Sequence, residues 1–336
     1  MPRLAFISAS FTAALAALLL TACGSSEVGD DASAAGDRVR VVASTALIAE
    51  FASIVAGDDA DVEGLIPPGV DVHGFEPAPA AAASIARADI VFVNGYNLEE
   101  TLLDVILENV AFEVEVVPVA AGLSPLAGGH DEHEHEEEAD HEDEADHDEA
   151  DHENEADHDG DLVRAEGDPH FWLDAANAVH YVEQIRDHLV ELDAAYAGAY
   201  SDRAAAYIEQ LRDLDDEVRG LIETIPTEHR TLIVLHDAYQ YLARAYGLEL
   251  TAALLPASAQ QDAGAAAVID LIELVRDHEV PAIFREPQFG AAVLDSIASE
   301  TGAEVLTIYS TYAGDVDSYL ELMRANAQAL VDGLGA

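Results

Sequence analysis

Residues 38–69, RVRVVASTALIAEFASIVAGDDADVEGLIPPG, decide the fold class. The opening RVRVVAS is rich in β-branched residues and reads as a strand. TALIAEFASIVAG spaces its apolar residues along one helical face, and DVEGLIPPG reads as a second strand closed by a Pro-Gly turn. Strand, helix and strand in so short a span form a β-α-β unit, whose strands run parallel through a right-handed crossover.

Outward from this unit the alternation continues. PAPAAAASIARA (77–88) is helical, and DIVFVNG (89–95) is a continuous apolar strand of the kind buried in a parallel sheet. LEETLLDVILENV (98–110) is an amphipathic helix and EVEVVPVA (113–120) a further strand. Two long helical segments come later, from Ala175 to about Leu192 and from about Ala194 to Glu223, the second without proline until its end. Some thirty helical residues span about 45 Å, more than one small domain needs, so this helix is expected to run between two lobes. Beyond it TLIVLH (231–236), LELTAAL (248–254), PAIFRE (281–286) and EVLTIY (304–309) read as strands. Helices are expected near 237–246, 262–278 and 289–302, with a last one at 318–333. The expected architecture is α/β: two lobes, 38–193 and 225–336, each with a mainly parallel sheet flanked by helices, joined by one long backbone helix over 194–224.

The chain starts with one arginine and an apolar run of signal-peptide length, too short and too lightly flanked to favour a stable membrane span. The run ends in Leu20-Thr21-Ala22-Cys23, which looks like a bacterial lipobox. Residues 1–22 are therefore expected to be a signal peptide, Cys23 the lipidated mature terminus, and the small, acidic residues up to 37 a flexible tether. The protein is expected to work outside the cytoplasmic membrane, lipid-anchored to it. Cys23 is the only cysteine, which excludes an intrachain disulfide and a thiolate metal cluster.

The formal charge is −53, and every basic residue is arginine. Such a surface repels nucleic acid and attracts cations. Residues 130–161 alone hold nineteen acidic residues, no basic one, and the histidines His130, His133, His135, His141, His147, His152 and His158. With only scattered alanines to bury, the stretch 128–165 is expected to be a disordered loop. Imidazoles and carboxylates hold metals, yet nothing in this spacing pre-organises four donors, and closing a chelate costs chain entropy. Weak, multiple metal binding is what the loop can offer.

Seven histidines lie outside the loop. His180, His188, His229 and His278 sit in or beside helical segments among charged residues and are expected to be solvated. His73 in PGVDVHGFEPAP follows a strand and a turn, His170 in GDPHFWLD sits in a loop entering a helix, and His236 in LIVLHDAYQYLARAYGL closes a strand. Sites in parallel α/β sheets form beyond the carboxyl ends of the strands. These three can converge there from both lobes, although spacing alone does not require it.

HGFEPAP, DPHFWLD, HDAYQYLARAYGL, FREPQF and YSTYAGDVDSYLELMRANAQAL follow one another along the chain. Through these motifs, over essentially all of 38–335, it resembles the metal-binding, lipid-anchored solute-binding proteins of ABC importers, the ZnuA/TroA type. The resemblance implies a metal ion between the lobes, with His73, His170 and His236 as ligands. It places the fourth ligand, a carboxylate from the loop after the last strand, on Asp315, with Asp317 two residues on. Glu76, Asp174, Asp237 and Glu286 beside the motifs either orient the imidazoles or cap helices and hold the fold. A permease and its ATPase are the implied partners, with no nucleic acid, and the chain is expected to be a monomer.

Three imidazoles and one carboxylate suit four-coordinate Zn2+. Mn2+ prefers more oxygen donors, and the Irving–Williams order favours zinc over it. Zinc capture for an importer is the expected function, with manganese import, a surface adhesin or a zinc-buffering lipoprotein as alternatives. No enzyme is expected: the chain contains no H-E-x-x-H pattern, and four firm ligands leave no position for activated water.

Overall fold

The computed structural model describes residues 38–127, 162–255, 264–290 and 292–335. The expected signal peptide, Cys23 with its tether, and the seven histidines from His130 to His158 lie outside the described residues. Among the described residues no helix is long and apolar enough to cross a membrane.

The β-α-β stretch forms β1 (Val39–Thr45), α1 (Ala46–Ala56) and β2 (Ala60–Ile66). Thr45 ends the strand and caps the helix, its side chain accepting from Ile48 N at 3.2 Å, which satisfies a first-turn donor that has no partner within the helix. α2 (Pro79–Ile85), β3 (Ile90–Val93), α3 (Glu100–Asn109) and β4 (Glu115–Pro118) complete a parallel sheet of order β2-β1-β3-β4. β3 is buried at every position, as an unbroken apolar run must be in a sheet covered on both faces.

After α4 (Ala175–Leu192) and α5 (Ala197–Ile222) come β5 (Thr231–His236), α6 (Gln240–Tyr246), β6 (Glu249–Leu255) and α7 (Ala265–Asp277). β7 (Ala282–Arg285), α8 (Ala292–Thr301), β8 (Glu304–Thr307) and α9 (Tyr319–Leu334) close the chain. The second sheet is also parallel, in the order β6-β5-β7-β8, which repeats the arrangement of the first. The fold is thus two α/β lobes, each a parallel sheet flanked by helices and linked through long helices, the class expected from the sequence.

The linking helix begins at Ala197 rather than Ala194, because a tight turn over 193–196, with Tyr196 N donating to Asp193 O, separates it from α4. It buries Tyr200, Ala204, Tyr207, Ile208, Leu211, Leu214, Val218 and Ile222 on one stripe at helical spacing. That stripe belongs to a single apolar core running from Phe51 and Phe92 of the first lobe to Leu232 and Phe284 of the second. Two smaller clusters, around Val91 with Leu103 and around Ile283 with Leu271, fill the other face of each sheet. Both lobes are therefore packed against one rod of about 39 Å, an arrangement that restricts hinge motion.

The stretch expected to be disordered extended to residue 165, but Leu162 and Val163 are packed. Val163 is buried, and Tyr96 N and Asn97 N donate to the carbonyls of Leu162 and Val163 at 3.0 Å each. To make these bonds the chain after β3 turns left-handed at three successive residues, Gly95, Tyr96 and Asn97. A side chain at Gly95 would meet Leu162 O at 3.3 Å and Pro118 Cβ at 3.1 Å. Left-handed conformers at the other two cost about 1 kcal/mol or more each, which the two backbone bonds offset. The segment leading to His170 is thereby hung on the carboxyl end of the first sheet.

Candidate metal site

His236 is the last residue of β5, and His73 lies seven residues beyond the end of β2. His170 opens the 3₁₀ turn Phe171–Leu173 ahead of α4. It is held in place from the end of β3 by Asn94, whose Nδ2 donates to Pro169 O at 2.9 Å while its Oδ1 accepts from the Tyr181 hydroxyl at 2.6 Å. Buried Glu99 fixes Asn94 in turn, one carboxylate oxygen accepting from Asn94 N (2.7 Å) and from Ser44 Oγ (2.5 Å).

The structure brings the three histidines together. All are buried, and each offers one nitrogen within 4.8 Å of the other two. Ring centroids are 5.1 to 5.6 Å apart, and Nε2 of His73 lies 3.2 Å from Nε2 of His170. Two N–H groups cannot face each other at that distance, so at least one of these nitrogens presents a lone pair. Burial, reinforced by the neighbouring rings, holds His73 and His170 well below the usual imidazole range. Both rings are therefore neutral at neutral pH, the form that binds metal.

Two buried carboxylates set the orientation of two rings. Asp168 Oδ1 accepts from His170 N at 2.9 Å and lies 2.8 Å from His170 Nδ1. Glu286 Oε2 lies 3.3 Å from His236 Nδ1, while its Oε1 accepts from Gln288 Nε2 at 3.0 Å and from the Ser310 hydroxyl. A carboxylate against Nδ1 keeps the proton there and turns the Nε2 lone pair toward an ion. Burial pushes Asp168 up to about 7. Asp71, Val72, Trp172, Gln288, Phe289, Ser310 and Thr311 line the rest of the pocket.

The other expected site residues scatter. Asp315 is exposed on the turn bridged by Ala313 and Val316 and does not line the pocket. The loop after β8 meets the pocket at Ser310 and Thr311 and has already turned away when it reaches Asp315. Asp317 and Glu76 are exposed as well. Asp174 caps α4, accepting from Ala176 N at 2.9 Å, and Asp237 accepts from Gln240 Nε2 at 3.1 Å. His278 is exposed, but the other three histidines expected to be solvated are half-buried. His180 Nε2 lies 2.6 Å from Ala121 O, and His188 Nδ1 lies 3.2 Å from Glu115 Oε2.

Two carboxylates near the rings escaped the sequence reading: Asp71 and Asp168. The signal was present, because each stands two residues before a clustered histidine, in D-V-H and D-P-H. In both places Asp Oδ1 accepts from the histidine backbone N–H, at 3.1 and 2.9 Å, the Asx turn such spacing favours.

The family model described as zinc-uptake complex component A, periplasmic, matches residues 41–333. The manganese-binding lipoprotein MntA of Halalkalibacterium halodurans is 27% identical over 331 residues, which cover 97% of this chain and 97% of that one. A Mn-bound variant of the periplasmic metal binding protein from Candidatus Liberibacter asiaticus is 25% identical, with a TM-score of 0.72 over 88% of this chain and 100% of its own. The periplasmic zinc binding protein TroA of Treponema pallidum shares the fold at 24% identity, with a TM-score of 0.74 over 89% of this chain and 100% of its own. With two lobes around a buried cluster of imidazoles and a family match over nearly its whole described length, the chain belongs to the periplasmic zinc-uptake component A family, as an extracytoplasmic, lipid-anchored, metal-binding protein of an ABC transporter and not an enzyme.

Proposed function

We propose that the protein captures a divalent first-row transition-metal ion between its lobes and delivers it to a membrane permease powered by an ATPase. The convergence of His73, His170 and His236 carries this reading: three buried imidazoles, each offering a nitrogen to one point. Asp168 and Glu286 add two buried carboxylates, set beside Nδ1 of His170 and of His236, and a dication held by the rings would offset negative charge there. For the oxygen donor we assign Asp71, the carboxylate that lines the pocket with the rings. Cys23 is the proposed point of lipid attachment. The histidines from His130 to His158 are proposed to hold cations weakly as an accessory to the cleft.

Two metals fit this donor set. Manganese is the reading the relatives support, through the lipoprotein named for it and the Mn-bound structure. Zinc, expected from the sequence, is supported by the three neutral nitrogens and by its higher place in the Irving–Williams order. Cargo in a cell follows metal supply and delivery as well as affinity, so manganese is placed first and zinc second. Both readings require tight binding by the purified protein, which should gain about 4 kcal/mol of stability at a thousandfold excess of metal over Kd and lose it to a chelator. They part on uptake. Deleting the gene should abolish accumulation of radiolabelled manganese under the first reading and of zinc under the second. Normal uptake of both would sink the importer assignment.

A further inference from the structure

Tyr241 lies on the first turn of α6, five residues past His236, and is fully buried. Its hydroxyl reaches the other lobe. There it accepts from Leu126 N at 2.9 Å and donates to Asp168 O at 2.8 Å, while Asp168 N donates to Leu126 O at 3.0 Å. One oxygen thus closes a ring of three hydrogen bonds around two backbone segments distant in sequence. The Tyr241 ring itself is held by Phe171, with centroids 4.7 Å apart, and by the Arg244 guanidinium 5.5 Å over its centre.

What the hydroxyl holds matters for the cluster. Asp168, gripped through its carbonyl, is the residue whose Oδ1 fixes both the backbone and Nδ1 of His170. Tyr241 in turn moves with His236, because it sits on the helix that leaves β5. A slide of one lobe against the other by an ångström would separate the His170 and His236 nitrogens. It would have to break this contact together with others across the boundary, such as Trp172 Nε1 to Ser310 O at 2.8 Å. We infer that Tyr241 is a positioning residue for the metal site, a clasp across the lobe boundary that fixes the spacing between the His170 and His236 nitrogens. The inference rests on the reading of the histidine cluster as the metal site. Tetrahedral zinc, with bonds near 2.0–2.1 Å to nitrogen, tolerates a loosened cage less well than manganese, which accepts more ligands and longer bonds. The clasp therefore also favours zinc over manganese in the site.

Tyr241→Phe removes the oxygen and keeps the ring. With cobalt(II) as the optical probe, the variant is expected to show d–d bands shifted in position and intensity from those of the parent. Its zinc Kd should rise about tenfold or more, and its manganese Kd should rise less. Tyr207→Phe, which removes another buried hydroxyl away from the cluster, should leave the bands and both constants unchanged. A hydroxyl that serves stability alone would lower the melting temperature without moving the cobalt spectrum. Unaltered bands with a zinc Kd within twofold of the parent overturn the inference. If the variant fails to fold, amide exchange in the parent decides: exchange at Leu126 should slow on zinc binding, and an unchanged rate there counts against the clasp. A parent that binds neither cobalt nor zinc sinks the site assignment itself.

Discussion

Replacing His236 with alanine should raise the Kd for zinc and for manganese about a hundredfold or more, and His73→Ala and His170→Ala should do the same. Four-ligand zinc sites bind with about 10–16 kcal/mol, so one ligand accounts for roughly 3 kcal/mol, or about two decades in Kd. His236→Ala also leaves Glu286, a buried carboxylate, without the ring its Oε2 faces. Asp71→Asn keeps a carbonyl oxygen that can still face the ion but removes its charge, and should weaken binding about tenfold, less than the loss of a ring. Asp315→Ala should change it by less than about twofold, because that side chain is exposed and outside the pocket. Isothermal titration of the five variants ranks the donors. A large loss at Asp315 with Asp71→Asn silent would return the oxygen to the loop after β8.

The second large effect is expected at the other seam between the lobes. Glu50 on α1 accepts from the Tyr312 hydroxyl and, at 3.0 Å, from Tyr319 N at the start of α9. Tyr312 O in turn accepts from Gly69 N at 2.6 Å, and the Tyr319 hydroxyl donates to Trp172 O at 2.7 Å. Glu50→Ala strands two donors in a half-buried place, and should cost about 2 kcal/mol, a fall of about 4 °C in melting temperature for a chain of this size. The pH dependence has a definite sign. Burial raises the Glu50 carboxyl above 4.5, hydrogen bonds from Tyr312 and Tyr319 pull it partly back, and Asp317 and Glu321 push it up. The folded state thus holds this proton more tightly than the unfolded chain does. The resulting stability is fully present below about 4.5 and is lost as pH rises through the folded value. Glu50→Gln has no such proton to lose. Its melting temperature, measured against the parent's, should therefore improve as pH rises from about 4 to about 7. A constant difference across that range would show that Glu50 is not the group responsible.

The alternation of strands and helices was legible from residue 38 onward because period-2 and period-3.6 patterns are local. Element ends were less so. The turn at 193–196 and the packing of Leu162 and Val163 depend on partners, Asp193 O in one case and the left-handed chain at Tyr96 and Asn97 in the other. The histidine motifs mark positions at strand ends, and the D-x-H spacing was available there too. Asp315 lies outside the pocket because the path of an eleven-residue loop between β8 and α9 decides which of its side chains reaches the rings, and no local pattern encodes that path.

By itself the sequence determined the α/β class, the parallel strands and the long helix, which follow from short-range periodicity. It singled out three imidazoles at strand ends and a helix entry, and the family resemblance implied that they act together. Only the tertiary structure decided that those imidazoles meet, that Asp168 and Glu286 stand behind two of them, and that Tyr241 and Glu50 bind the lobes together. These are contacts between segments up to 269 residues apart. They exist because the apolar stripe of α5 and the two sheets share one core, and burial there fixes distances that spacing along the chain leaves undetermined.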